Sequence, residues 1–595
     1  MNENTLRFPL REHEGCHAHS PEQLLGLHLD TLLNLLVPTQ QGRELSVDGY
    51  KLLSDRHTTH PLPPDATPEK REQPDTLDLY EPRLSYIRRL LHSLQCLVEL
   101  EADGQPVRID GFRLRNPNQW LAPGGGADDI LAHAATRCNL SCRFCYNHGA
   151  PATLEQAPRP PDLEFDEIRT RIEHYVPSGR LNLFPTIGSP CEMLAHPHIL
   201  DILTLLREKT SETFRIPTNG AALTPDMVRS LARLAPVYVD VSLNSSSPER
   251  RRWLMNDPSP ITAIQSLALL REEKIPFTVV IVPWPFPSHQ AMLDDLEATT
   301  TFAAAFDPAL IQVSLPGYSR ATPQDEWFPA KEVWNRLRSA CQRIRDRIPC
   351  PLIMRPGLFE EYETPGSCND PSVLGLVKNS PAAHAGLHQG DRIKKVNRLP
   401  VQSRPQARAL LNTLHHSDLN TCSLSIERDG TTHEMKLDLS HFDYPYTPET
   451  ATHLGVVFAS SGIPREWAER VRDVIATRHA KETLLMTSTL VRPTLEKLVR
   501  ESGVPSGTRL HLCVPRNEFF GGNIFMGDLM VVEDFITAAQ GFVKEQKIRP
   551  DLILIPSSPF RISGWGRDLT GRPYLDIERS LKIPVALIEC DTIFD

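Results

Sequence analysis

The sequence has no apolar run that approaches the roughly 18 residues a membrane-spanning helix needs, which excludes an ordinary transmembrane segment. Its opening stretch, MNENTLRFPLREHEG, shows no basic region leading into an apolar one, so a soluble, unexported, cytoplasmic chain is expected. Cysteine is scarce, at 12 in 595 residues, and most of the cysteines are scattered, which argues against a secreted disulfide framework and for a reducing compartment. Positive charge is not in excess either. The formal net charge is -10, which argues against a large nucleic-acid surface. No basic stripe with interleaved aromatics stands out, and RNA modification loses support with it. No G-x-G-x-x-G or Walker pattern stands out. Small molecules or proteins are the expected partners, with no membrane.

The length predicts about three or four domains. Residues 1–125 read as a mainly helical region of unassigned role, with Leu-rich stretches at Pro21 to Val37 and YEPRLSYIRRLLHSLQCLVEL around a Pro-rich connector. Its histidine-rich run REHEGCHAHS reads as a polar terminus before it reads as a metal site. Over residues 126–360, short apolar runs alternate with amphipathic helices. Strands are expected at ILAHAAT, RLNLFPTIG, FRIPTNG, VYVDVSLNS, PFTVVIVPW and LIQVSLPG. Six strand-helix units with right-handed crossovers imply an α/β fold, a parallel sheet curling into a partial (βα)6 TIM-like barrel. In such a fold chemistry sits on the loops at the strand C-termini. Residues 365–442 read as a small β-rich module. Residues 443–595 alternate again, from LGVVFASSG onward, as a second α/β domain.

What stands out is TRCNLSCRFCYNHG, which places Cys138, Cys142 and Cys145 just after the first expected strand. Three thiolates on one loop can hold three irons of a 4Fe-4S cubane and leave the fourth open. A structural zinc site wants a fourth ligand, which His148 could supply. The run Cys138-Asn-Leu-Ser-Cys142-Arg-Phe144-Cys145-Tyr resembles the cluster motif of the radical S-adenosylmethionine (radical SAM) superfamily. The resemblance implies a 4Fe-4S cluster and S-adenosylmethionine as cofactors. It implies reductive cleavage of the sulfonium to methionine and a 5'-deoxyadenosyl radical that takes hydrogen from a substrate. It also implies a low-potential electron donor such as a flavodoxin or ferredoxin.

By the same resemblance, Gly188-Ser189-Pro190-Cys191-Glu192 stands where the family carries a Gly-Gly-Glu-Pro type segment that contacts the SAM amino group, through Ser189 or Glu192. Asn219, in Thr218-Asn219-Gly220, and Ser242 and Asn244 stand where the family hydrogen-bonds the SAM carboxylate and ribose. All are also good turn sequences. Val282-Pro283-Trp284-Pro285 could cover adenine or substrate, or be a stiff surface loop. Cys191 could be a substrate-site thiol, while Cys341, Cys350 and Cys368 are too dispersed to read as an auxiliary cluster.

The stretch Ser380-Pro-Ala-Ala-His-Ala-Gly386 with Gly390-Asp391-Arg-Ile393-Lys-Lys-Val396-Asn397 is similar to the central part of PDZ domains. PDZ domains bind chain termini by strand addition beside a second helix, here Pro405 to Leu414. Leu374-Gly375-Leu376 reads as at best a remnant of the Gly-Leu-Gly-Phe binding loop, and an architectural module stands beside peptide docking. The C-terminal section, through Asn517 to Leu529, Leu554 to Pro556 and Tyr574 to Asp576, resembles a domain of unknown function that accompanies radical SAM and PDZ modules in a bacterial family, with the modules in a different order. Phe519 to Asn523 could line the substrate side of the barrel or form a tight core turn. The substrate is a peptide or protein side chain if the PDZ-like module docks a chain, and a small metabolite if it is a spacer. The alternative from another class is a non-catalytic Fe-S or zinc scaffold that assembles partners.

Overall fold

The computed structural model describes residues 135, 138–145, 164–173, 192–211, 213–356, 369–415, 419–440, 452–459, 462–463, 465–525, 527–560 and 568–588, together with five short strands nearer the N-terminus. Those five are β1 (Glu44–Val47), β2 (Tyr50–Leu53), β3 (Thr76–Leu77), β4 (Val98–Glu99) and β5 (Arg108–Ile109). The first two pair antiparallel, as do the last two. The expected helical stretches of this region lie outside the described residues, except that Val98–Glu99 at the end of the second is strand.

The barrel region opens with α1 (Phe165–Glu173) and α2 (Ile199–Lys209), then alternates strand and helix. The strands are β6 (Phe214–Thr218), β7 (Val237–Ser242), β8 (Phe277–Ile281), β9 (Leu310–Ser314) and β10 (Leu352–Arg355), all parallel and ordered β10-β9-β8-β7-β6. Between them run α3 (Pro225–Arg233), α4 (Pro248–Met255), α5 (Pro260–Glu272), α6 (His289–Ala304) and α7 (Ala330–Arg345). Runs such as VYVDV are buried on both faces, the pattern of a parallel strand covered by helices. Helix starts follow local chemistry. Thr224, Ser247 and Ser288 each accept a backbone N–H of the first turn, and Pro225 and Pro248 take the first helical position.

The strand readings at FRIPTNG, VYVDVSLNS, PFTVVIVPW and LIQVSLPG match β6 to β9. Those at ILAHAAT and RLNLFPTIG lie outside the described residues, apart from Ala135. The sheet also gains β10, LIMR, which was not expected. Its four residues follow the α7 helix within a Pro-rich stretch that reads as loop.

The PDZ-like module comprises β11 (Gly375–Leu376), α8 (Pro381–His384), β12 (Arg392–Val396), β13 (Leu399–Pro400), α9 (Arg404–His415), β14 (Thr421–Arg428), β15 (Thr431–Asp438) and β16 (Val456–Val457). One antiparallel sheet runs β13-β12-β14-β15, and β11 pairs with β16. That last pairing corrects two readings. LGVVFASSG is not the opening strand of the C-terminal domain, because Leu454, Val456 and Phe458 share one buried core with Ala407, Leu411 and Leu414 of α9. And in Leu374-Gly375-Leu376, the last two residues are strand rather than a loop remnant. The turn of Gly-Leu-Gly-Phe character is Leu454-Gly455-Val456-Val457, with Leu454 at φ 57 and Gly455 at φ 85. A Cβ on Gly455 would collide with Ser380, so only glycine fits this left-handed position. The strand that completes the module with β11 therefore comes last in the chain.

The C-terminal domain holds α10 (Arg465–Thr477), β17 (Glu482–Met486), α11 (Arg492–Ser502), β18 (Arg509–Cys513), α12 (Val532–Gln546), β19 (Leu552–Pro556), α13 (Leu575–Leu581) and β20 (Val585–Ile588). Its parallel sheet is ordered β18-β17-β19-β20. Successive residues alternate between two cores. Leu484, Ile553 and Leu587 meet Phe535 and Ile577 on one face, while Leu485, Leu554 and Ala586 meet Trp467 and Val471 on the other.

Among the described residues no helix is long and apolar enough to cross a membrane.

Candidate functional site

The loop carrying Cys138, Cys142 and Cys145 lies at the carboxyl ends of the barrel strands, held against the last turn of α4. Ser141 N donates to Met255 O at 3.2 Å and Arg143 N to Leu254 O at 2.9 Å, while Cys145 N closes a turn onto Cys142 O at 3.1 Å. Cys138 is exposed, and Cys142 and Cys145 are half-buried. Burial, then the neighbouring Cys145 and Cys138, push the Cys142 thiol up to about 12. A thiol that high ionises against the charge of a metal, so loading releases its proton.

Behind the loop, β6 ends in Thr218-Asn219-Gly220. The Asn219 amide Nδ2 donates to Asn139 Oδ1 at 2.7 Å and reaches Cys138 Sγ at 3.7 Å, and its Oδ1 accepts Ala221 N at 2.9 Å. Asn219 thus ties the strand end to the first cysteine. The buried Glu192 carboxylate accepts from Thr218 Oγ1 at 2.8 Å, Asn219 N at 2.6 Å and Leu194 N at 3.2 Å. Burial raises its pKa above the ordinary carboxylate range, against the opposing pull of those three bonds. Ser242 offers its carbonyl to Arg251 at 2.9 Å. Asn244, in the left-handed region at φ 60, accepts Val282 N at 2.9 Å through Oδ1 and places Nδ2 against Ser242 O and Met255 Sδ.

Arg251 is the residue that the sequence reading missed. Fully buried on α4, it pairs with the equally buried Asp257 at 2.8 Å and donates to the carbonyls of Ser242, Leu243 and Asn219. It therefore binds the ends of β6 and β7 together beneath the cysteine loop. In the sequence it sits in ERRRWLMND, which reads as a solvated charge run; Pro248 just ahead of the run and Asp257 at i+6 were the available hints.

An aromatic wall faces the loop. Phe144 lies 6.4 Å from Trp284, whose ring meets Phe328 edge-on at 5.4 Å. Trp284 is buried, so the Pro/aromatic loop after β8 is not a surface loop. Gly188, Ser189 and Cys191 lie outside the described residues, as do His148, Cys368 and the N-terminal histidines. Cys341 and Cys350 are buried.

Three thiols on one anchored loop, backed by an amide aimed at Cys138, fit a cluster that takes one cysteine per iron. Among the described residues no three His, Cys, Asp or Glu side chains converge on a single ion. Thiolates bound to three different irons need not converge in that way.

Residues 134–298 match the family model of the radical SAM superfamily, and residues 361–439 that of the PDZ domain. Radical SAM domains are enzyme domains, whose cofactors are a 4Fe-4S cluster and S-adenosylmethionine. A comparison with curated proteins finds no match. Similar solved structures include Streptococcus suis SuiB bound to S-adenosylmethionine, at 14% identity and TM-score 0.27 over 38% of this chain and 49% of that one. Another is SuiB bound to precursor peptide SuiA, at 14% identity and TM-score 0.28 over 46% and 61%. A third is methylornithine synthase (PylB), at 12% identity and TM-score 0.26 over 44% and 74%. The chain spans about half the length of SuiB in its S-adenosylmethionine complex, at 49%. What the matched segments identify is a chain that carries a radical SAM domain followed by a PDZ domain.

Proposed function

We propose that this chain is a radical SAM enzyme in which Cys138, Cys142 and Cys145 hold a 4Fe-4S cluster. The observation that carries the reading is the anchored three-thiol loop with Asn219 aimed at Cys138. When bound, the cluster and S-adenosylmethionine supply reductive cleavage of the sulfonium, and a 5'-deoxyadenosyl radical that takes a hydrogen atom from substrate.

The chain's own part is to bind, orient and exclude water. Asn219 Nδ2 donates toward Cys138 Sγ, which lowers the electron density on that sulfur and fixes its rotamer. Glu192 locks the backbone N–H of Asn219 and the hydroxyl of Thr218, so the strand end cannot swing. Gly188, Ser189, Ser242 and Asn244 are proposed with Glu192 and Asn219 as S-adenosylmethionine contacts, on the strength of their motif positions. Phe144, Trp284 and Phe328 make the wall that keeps water from the reacting carbon.

A peptide or protein substrate is the finer reading, and the PDZ domain supports it. α9 and the Leu454–Phe458 segment share one core, and a chain terminus would add to β16 beside α9.

The test uses anaerobically reconstituted protein. EPR of the reduced cluster is recorded with and without S-adenosylmethionine, and 5'-deoxyadenosine is measured beside the Cys142→Ala variant. A spectrum shifted by S-adenosylmethionine, with 5'-deoxyadenosine formed by wild type alone, is expected. Bound zinc and a colourless, indifferent protein would replace this reading with a scaffold.

A further inference from the structure

The loop between β9 and α7, residues 315–329, touches three parts of the molecule at once. At its start the C-terminal domain is latched to it. Asn523 Oδ1 accepts Tyr318 N at 2.6 Å, Asn523 N donates to Tyr318 O at 2.9 Å, and Arg320 N donates to Phe520 O at 2.9 Å. The Arg320 guanidinium also donates to Phe519 O. The fit needs Gly522 at φ 62, where a Cβ would run into the Tyr318 carbonyl. Phe525 closes the same contact against Trp334 at 4.3 Å. So the Phe519–Asn523 turn does face the barrel.

In the middle of the loop Tyr318 stacks on Trp327 at 5.5 Å and meets Phe328 edge-on at 5.0 Å. Near its end, Glu326 accepts a hydrogen bond from Trp284 Nε1 at 3.3 Å and pairs with Arg143, one of the two residues between Cys142 and Cys145. Arg143 is gripped from the other side by α4, with Nε on Trp253 O at 3.0 Å and its guanidinium 4.5 Å over the Trp253 ring. A half-exposed arginine in an isolated surface pair would contribute little. Here its partner carboxylate is largely buried and fixed by a tryptophan N–H. The contact therefore sets the position of the backbone that carries two thiols.

We propose that Glu326 is a positioning residue for the cysteine loop, and that the latched C-terminal turn, by fixing the strap that carries Glu326, sets how firmly the loop retains iron. The inference rests on the radical SAM reading of Cys138, Cys142 and Cys145. Glu326 acts through Arg143 and touches no reacting group.

The test is iron release from the full-length, anaerobically reconstituted protein to a ferrous chelator, followed by absorbance, with the EPR line shape as second readout. Glu326→Gln and Asn523→Ala should each speed release about tenfold, the low end for loss of an outer-shell partner of a metal site. The double variant should release iron no faster than Glu326→Gln alone, because both act through one contact. Should Glu326→Gln fail to accumulate, Glu326→Asp, which keeps the charge and shortens the reach, is expected to move release the same way. A wild-type rate in the folded Glu326 variant overturns the positioning role, and additive rates overturn the coupling to the turn. A wild-type protein that takes up no four-iron cluster sinks the radical SAM reading beneath both.

Discussion

Among the described residues two parallel sheets alternate strand with helix, and each gathers polar side chains at the carboxyl ends of its strands. In the barrel sheet those side chains are partnered with one another. Thr218, Asn219, Glu192, Arg251 and Asp257 form a continuous set of bonds from strand to strand. At the same end of the C-terminal sheet Asn517, Asp534 and Asp568 are hydrogen-bonded, but four other groups lack partners. Thr487 Oγ1, Ser488 Oγ, Ser558 Oγ and Asp528 Oδ1 are buried with no hydrogen-bond partner. The difference teaches where rigidity is concentrated. A buried polar group that is satisfied holds geometry, and one that is not costs stability wherever it sits. The first sheet is knit together at its polar end, while the second mixes bonded groups, Asn517, Asp534 and Asp568, with unpartnered ones.

The comparison breaks most severely at Arg251. Arg251→Met leaves Asp257 buried without its cation and frees three carbonyls, so a loss of about 3–5 kcal/mol is expected in denaturant unfolding. A loss under about 1 kcal/mol would mean that the network carries no weight.

At Asp528 the sign should reverse. Burial pushes this carboxyl from its ordinary value to about 6. Its folded form therefore binds the proton more tightly than the unfolded form. Stability from this group is full below the unfolded value near 4 and falls as pH rises through about 6. Asp528→Asn should remove that fall and stabilise the protein at pH 7 by on the order of 2–3 kcal/mol. Unchanged pH dependence of the melting temperature between pH 4 and 7 would sink the idea.

The smallest effect gives the sharpest contrast. Thr218→Val deletes a hydroxyl that donates to Glu192 and accepts Gly220 N, and should cost about 1–3 kcal/mol. Thr487→Val deletes a hydroxyl with no partner and should be neutral or slightly stabilising, within about 0.5 kcal/mol. Equal losses at the two positions would erase the distinction between the sheets.

What the sequence made legible was whatever chemistry is written locally. Cys138, Cys142 and Cys145 could be read because the three thiols lie on one short loop. Thr218 and Asn219 could be read because strand ends are where sites form. Arg251 and Glu326 were not legible, since each gains its meaning from partners far along the chain, Asn219 for one and Arg143 for the other. The Leu454-Gly455 turn was visible as residues but misassigned, because a strand that follows a module's body looks like the start of the next domain. Only its pairing with β11 returns it to its place.

That pairing has a topological consequence. Because β11 and β16 are neighbours, the chain enters and leaves the PDZ module at nearly one point, against the outer edge of the barrel, where Leu374, Val377 and Val457 pack on Leu310 and Ile353. In polymer terms the module is a closed excursion that adds little to the span between barrel and C-terminal domain. The tether between those two is short in space however long it is in sequence, which keeps the Phe519–Asn523 turn at high effective concentration beside Tyr318.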